Sequence, residues 1–290
     1  MATRPKAEAE VIPFRRGLAL DDEAETPLAS AKIGTATTAT SLPTVSVDLT
    51  GKPKAWFLIG PNGSGKTTLA RWMGWKLTEA DRLPFLVALD PTNRSLATWF
   101  DGVLQPETND GVQTARWLRD FLDHTMSRKA SAILDFGGGD TALAKLVHQA
   151  PDLDAMMTEA GVVPVACYMV GPRVEDLTSL DILETAGFHP AATLIVLNEG
   201  RADSTLTREE AFARVLRHSA LRKAIERGAV VLWMPMLEPE VAAEIEGKRA
   251  TFGQARDGQV TTIGGFKRSM VRRWLTSMEH ELGPIASWMP

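Results

Sequence analysis

The sequence predicts an α/β fold with a doubly wound, mostly parallel sheet. Two observations predict it. Short runs at 55–59, 84–89, 131–135, 163–169, 193–197 and 229–233 are apolar throughout rather than alternating, as in parallel strands covered on both faces. Helical stretches at 66–80, 110–126, 141–149, 175–186 and 207–227 lie between them, so strand and helix alternate and the helices fall on both faces of the sheet. Ligands of such sheets bind beyond the C-terminal strand ends. The chemistry is therefore sought in the loop after each strand.

The first strand, Ala55-Trp56-Phe57-Leu58-Ile59, runs into Gly60-Pro61-Asn62-Gly63-Ser64-Gly65-Lys66-Thr67, which fits G-x-x-x-x-G-K-[ST]. Thr68 and the residues after it open the first helix. Strand, Gly-rich loop and helix form the context of a phosphate-binding loop, or P-loop. Its backbone N–H groups, with the helix N-terminus behind them, bind polyphosphate oxygens. Lys66 is the expected cation against the β- and γ-phosphates, and the Thr67 hydroxyl the expected Mg²⁺ ligand. The fold class is thus that of a P-loop NTPase, three layers α/β/α. Gly74 is a weak spot in the first helix.

The second strand ends at Asp90, in Leu89-Asp90-Pro91-Thr92-Asn93-Arg94-Ser95. Asp90 is positioned to orient an attacking water or to hold Mg²⁺ through water; a turn Asp before Pro is the plain alternative. Arg94 reads equally as a phosphate or subunit contact and as an exposed Arg. The third strand ends at Asp135, which opens Asp135-Phe136-Gly137-Gly138-Gly139-Asp140. A carboxylate there belongs to the Mg²⁺ shell, and Asp135 to Gly138 has the D-x-x-G spacing of nucleotide switch loops ordered by a γ-phosphate. Asp140 is the expected N-cap of the next helix.

The fourth strand carries the only cysteine, Cys167, whose apolar neighbours predict a buried inert thiol. One cysteine also excludes an internal disulfide and a Cys-based zinc site. Asn198 follows the fifth strand; its amide both donates and accepts and so can pair with a purine edge. Pro235 lies in the loop after the sixth strand, which can pack on a base. Both fit a generic loop as well. There is no H-E-x-x-H and no G-x-S-x-G. Trp72 and Trp75 read as core residues.

Residues 265–279 have helical spacing, with Phe266, Met270, Val271, Trp274, Leu275 and Met278 on one face and Lys267, Arg268, Arg272 and Arg273 beside it. A helix packed on the domain with a solvated basic edge is the plain reading. A DNA-backbone patch and attachment to an anionic membrane are the alternatives.

Residues 1–50 carry few large apolar side chains, an acidic run at 21–25 and a Thr/Ala-rich stretch at 35–41, and are expected to be a disordered tail. Residues 11–16 read as an incidental sequence or a short docking peptide. The expected organisation is tail 1–50, NTPase domain 51–250 and C-terminal helical extension 251–290. A formal net charge of −4 gives no global attraction to nucleic acid, so any DNA contact needs a local patch. No apolar run approaches a membrane span and the N-terminus has no apolar signal core, so a cytoplasmic protein is expected.

Taken in this order, the motifs resemble the ParA/MinD branch of P-loop ATPases (the SIMIBI class), especially StbB-like ATPases of plasmid stability and conjugal transfer, over about residues 54–245. The discriminating piece is Asp90-Pro91 with Ser95-Leu96-Ala97-Thr98-Trp99, similar to the family's D-P-Q segment and short helix. Asn198 and the Pro235 loop stand where the family recognises adenine. Pro61 stands where the family has its signature Lys, and Ala88 where it has the first Asp of D-x-D-P-Q. The resemblance implies an ATP- and Mg²⁺-dependent switch with slow hydrolysis, a nucleotide-dependent homodimer, and DNA or a DNA-binding protein as partner. A small-molecule kinase and a nucleotide-binding module without turnover are the rival readings.

Overall fold

A computed structural model describes residue 45 and residues 47–290, apart from 91–94, 109 and 139–140. The first 44 residues of the expected tail, the 11–16 segment, Pro91, Arg94, Gly139 and the Asp140 cap lie outside the described residues. All described residues fall in one unit, Ser41–Pro290.

Every predicted strand forms: β1 Lys54–Ile59, β2 Phe85–Ala88, β3 Ala132–Asp135, β4 Val163–Val170, β5 Ala192–Asn198 and β6 Val230–Met234. They build one sheet in the order β2-β3-β1-β4-β5-β6, and each neighbouring pair is parallel. Residues alternate between two cores, one on each face. In β1, Trp56 and Leu58 face one core, while Ala55, Phe57 and Ile59 face the other. That two-sided burial is why these strands read as unbroken apolar runs.

Helix α1 (Lys66–Glu79) packs on the first face with α9 (Pro239–Gly247), α10 (Phe252–Asp257) and α11 (Gly265–Glu281). Helices α2 (Gly111–Arg128), α3 (Ala142–Gln149), α4 (Leu153–Glu159), α5 (Thr178–Thr185), α7 (Ala213–Leu216) and α8 (Ser219–Glu226) cover the second. The short α6 (Arg208–Ala211) precedes α7. The three-layer α/β/α fold is as predicted.

Four helical details differ from the sequence reading. The stretch 207–227 is broken into α6, α7 and α8. The break before α8 falls at His218, which takes extended dihedrals (φ −69°, ψ 141°) while its ring accepts a hydrogen bond from the Ala220 N–H. A side chain that bonds its own backbone in this way competes with helix continuation. Helix α4 was not anticipated, and 175–186 begins as a 3₁₀ turn, Val174–Leu177, before α5. The short helix expected after Asp90 is a 3₁₀ turn, Ser95–Thr98.

Both ends of the described chain enter the first core. Leu49 is buried there, worth about 2 kcal/mol for a side chain of its size. Trp56 Nε1 donates to the Trp288 carbonyl (2.7 Å) and Trp288 Nε1 to the Val47 carbonyl (2.8 Å). From α11, Val271, Trp274, Leu275 and Met278 are buried as expected. Phe266 is not: it is 78% exposed. The basic edge is partly neutralised, since Lys267 reaches both Glu240 (2.6 Å) and Glu244 (2.9 Å).

Candidate functional site

The loop between β1 and α1 needs glycine at its bends. Gly60, Gly63 and Gly65 all have positive φ (149°, 69° and 100°), a region that L side chains rarely adopt. A Cβ on Gly60 would stand 2.5 Å from the Met169 carbonyl oxygen, so β4 also fixes how closely the loop sits on the sheet. Lys66 begins α1 and turns back over the loop. Its ammonium, on a residue only 6% exposed, donates to the carbonyls of Gly60 (2.9 Å) and Pro61 (2.8 Å). Burial holds its pKa below the ordinary lysine value, with the negative charges of Asp135 and Asp90 pulling the other way. Two carbonyl oxygens thus hold a desolvated cation at the mouth of the loop.

Asp135, at the end of β3, meets the loop from the neighbouring strand. The Thr67 hydroxyl donates to its Oδ2 at 2.7 Å. Its Oδ1 is buried and has no hydrogen-bond partner among the described residues. Burial raises the carboxyl pKa to about 6, against the lowering effects of the Thr67 hydrogen bond and Lys66. Beyond Asp135, Phe136 stacks on Phe57 and anchors the switch-like loop. The Gly138 N–H donates to the Asn62 side-chain oxygen at 3.0 Å, so the amide expected to face a γ-phosphate is held by the P-loop's own asparagine. The sequence reads Asn62 as one of the phosphate-binding loop residues; its side-chain bond to Gly138 is a finding of the structure.

Asn198, at the end of β5, is buried and braces the loop. Its amide nitrogen donates to the Ser64 carbonyl (2.7 Å) and its amide oxygen accepts from the Gly200 N–H (2.9 Å). The donor–acceptor capacity read as base-facing is thus engaged with backbone. Arg201, three residues on, lays a guanidinium nitrogen 3.3 Å from the place a Gly63 Cβ would take. The Pro235 carbonyl accepts from Trp274 Nε1 at 2.9 Å, which ties the β6 loop to α11.

Two cavities flank α1. The larger, of about 640 Å³, runs along residues 62–68 with Asp90, Trp99 and Phe136 in its wall. The smaller, of about 130 Å³, is lined by Asn198, Gly200, residues 234–237 and Trp274. The structure therefore brings Lys66, Thr67, Asp135 and Asp90 to one side, and Asn198 and Pro235 together on the other. Thr68, Arg71 and Glu246 line both.

Sequence reasoning gave Arg71 no role, although its place four residues after Thr67 puts the two on one face of α1. It is buried, pairs with Glu246 (3.2 Å) and lies 3.3 Å from the centre of the Trp99 ring. Burial lowers its pKa to about 10, with Glu246 opposing.

These groups fit a magnesium–polyphosphate ligand. The glycine bends leave a cradle, Lys66 supplies charge, and the orphaned Asp135 oxygen and Thr67 hydroxyl are hard oxygen donors beside it. No group of three or more His, Cys, Asp or Glu that could hold a metal occurs among the described residues. Mg²⁺ suits such a site, because it takes one or two protein oxygens and completes its shell from phosphate and water. No described helix is long and apolar enough to cross a membrane.

No protein-family model matches the chain, and no curated protein matches it in sequence. Among solved structures it is similar to the MinD cell division protein of Aquifex aeolicus (14% identity, covering 77% of this chain and 97% of that one, TM-score 0.41). It is also similar to McdA of Cyanthece (12%, 77% and 99%, TM-score 0.45). A third is the cell division protein FtsY of Thermotoga maritima (17%, TM-score 0.39), where the match covers 65% of this chain and 63% of the FtsY chain. At these values the likeness is one of fold. Nothing in the comparisons bears on the narrower StbB-like resemblance.

Proposed function

We propose that the chain is a Mg-ATP-binding switch with slow hydrolysis. The observation that carries this reading is the pairing of Thr67 Oγ1 with Asp135 Oδ2 at 2.7 Å beside the Lys66 ammonium, with the second Asp135 oxygen buried and unpartnered. Bound phosphates would draw Lys66 off the Gly60 and Pro61 carbonyls. Thr67 and Asp135 would hold Mg²⁺, which neutralises charge developing on the phosphates. Asp90, in the same cavity wall, would orient water. The Gly138 N–H would exchange the Asn62 oxygen for a γ-phosphate oxygen, so the loop after β3 would report whether the nucleotide is a tri- or a diphosphate.

The smaller cavity, with Asn198 and Pro235 in its wall, is the proposed base site; the preference for ATP over GTP rests on the resemblance of these segments. The same resemblance supports a cytoplasmic role in plasmid maintenance, DNA partition or conjugal transfer, a nucleotide-dependent homodimer, and DNA or a DNA-binding protein as partner. The pairing of Lys267 with Glu240 and Glu244 favours a protein partner over direct DNA contact through α11.

A module that holds nucleotide without turnover is the second reading. Ala88 favours it: it lies in register with Asp135 on the adjacent strand and adds no carboxylate there. Phosphate release with and without DNA separates the two. The binding reading itself is tested by titrating ATP in the presence and absence of Mg²⁺, with Asp135→Asn alongside. Mg²⁺ is expected to tighten ATP binding to the wild type and to have little effect on Asp135→Asn. Magnesium-independent binding by both proteins would contradict it.

A further inference from the structure

The two cavities share one wall, and that wall is chemically specific. Thr68, Arg71 and Glu246 line the phosphate-side cavity and the base-side cavity alike. A nucleotide joins its base to its phosphates through the ribose. With phosphates along residues 62–67 and a base beside Asn198 and Pro235, the sugar must pass this wall. Ribose hydroxyls need acceptors, and an ionised carboxylate is acceptor-only.

Glu246 is the carboxylate in that position. One oxygen takes Arg71 Nη1 at 3.2 Å, and the side chain is 58% exposed. Its second oxygen has no hydrogen-bond partner among the described residues. Arg71 is itself fixed, with its guanidinium 3.3 Å from the centre of the Trp99 ring and 5.0 Å from that of Phe252. A buried, stacked arginine therefore orients the carboxylate, which is how a long flexible side chain is made into a selective contact.

We infer that Glu246, positioned by Arg71, accepts a hydrogen bond from a ribose hydroxyl and so selects ribonucleotides over deoxyribonucleotides. This deepens the nucleotide-binding reading and rests on it. Glu246 is a specificity residue for the sugar, and Arg71 is a positioning residue that acts through it.

The test is equilibrium titration of the full chain with Mg-ATP, Mg-2′-deoxyATP and Mg-3′-deoxyATP, for wild type and Glu246→Gln. The wild type is expected to bind at least one deoxy analogue about tenfold more weakly than ATP, as for loss of a hydrogen bond to a charged group. Glu246→Gln keeps an oxygen for Arg71 but presents an amide to the sugar. It is expected to weaken ATP binding, leave the deoxy analogue nearly unchanged, and shrink the gap to about twofold. Equal affinities of the wild type for all three nucleotides would overturn the inference, a result that needs no variant to fold. So would an undiminished gap in Glu246→Gln. Absence of any ATP binding by the wild type would instead overturn the nucleotide reading, and this inference with it.

Discussion

Asp135 shows how one residue carries both stability and function. Burial raises its folded pKa to about 6, above the ordinary aspartate value of 3.8. The folded state therefore keeps this proton to higher pH than the unfolded state. The resulting stabilisation is complete below pH 4 and lost as the pH rises through 6. In magnesium-free buffer, wild-type unfolding free energy should fall relative to Asp135→Asn across that window, by roughly 3 kcal/mol from the size of the shift. Urea unfolding at pH 4 to 8 reads this directly; parallel curves for the two proteins would contradict it. Asp135 was legible in the sequence because it ends an apolar run and begins a glycine-rich loop. Asn198 was legible as a position but not as a task. An amide after a strand is compatible with a base or a backbone partner, and only the folded chain brings the Ser64 carbonyl within 2.7 Å of it. Arg71 and Glu246 lie 175 residues apart, and no local pattern announces such a pair.

At the scale of elements, the strands were readable and the helix interruptions were not. A parallel strand buried on both faces writes its location into consecutive residues, as in Phe57-Leu58-Ile59. The break at His218 depends on a single side-chain to backbone bond, which leaves almost no mark on hydrophobic periodicity. Gly74 reverses its first reading. Judged by propensity it weakens α1, and alanine there would gain about 1 kcal/mol. In the structure an added Cβ would stand 2.7 Å from the Phe100 ring. Overpacking of that kind costs about 1–3 kcal/mol, so Gly74→Ala is expected to lower the melting temperature by a few degrees. A raised melting temperature would show that the Phe100 contact is easily displaced.

At the scale of the molecule, the strand order places β1 between β3 and β4, with β5 next to β4. The P-loop thus meets Asp135 on one side and Met169 and Asn198 on the other. That topology converts three separated sequence signals into one site and leaves a cavity on either flank of α1. The C-terminal helix takes part as well: Trp274 packs in the first core and binds the Pro235 carbonyl, so the loop beside the smaller cavity is supported by residues that the sequence alone set apart as an extension. Every proposed role of this site requires a pocket that holds a triphosphate with Mg²⁺ against Lys66. Calorimetric titration with Mg-ATP, wild type against Lys66→Ala, tests this most directly. Saturable wild-type binding, at least about 100-fold weaker in the variant, is the expected result. A wild-type protein that takes up no nucleotide, or a variant that binds as tightly as wild type, would contradict it.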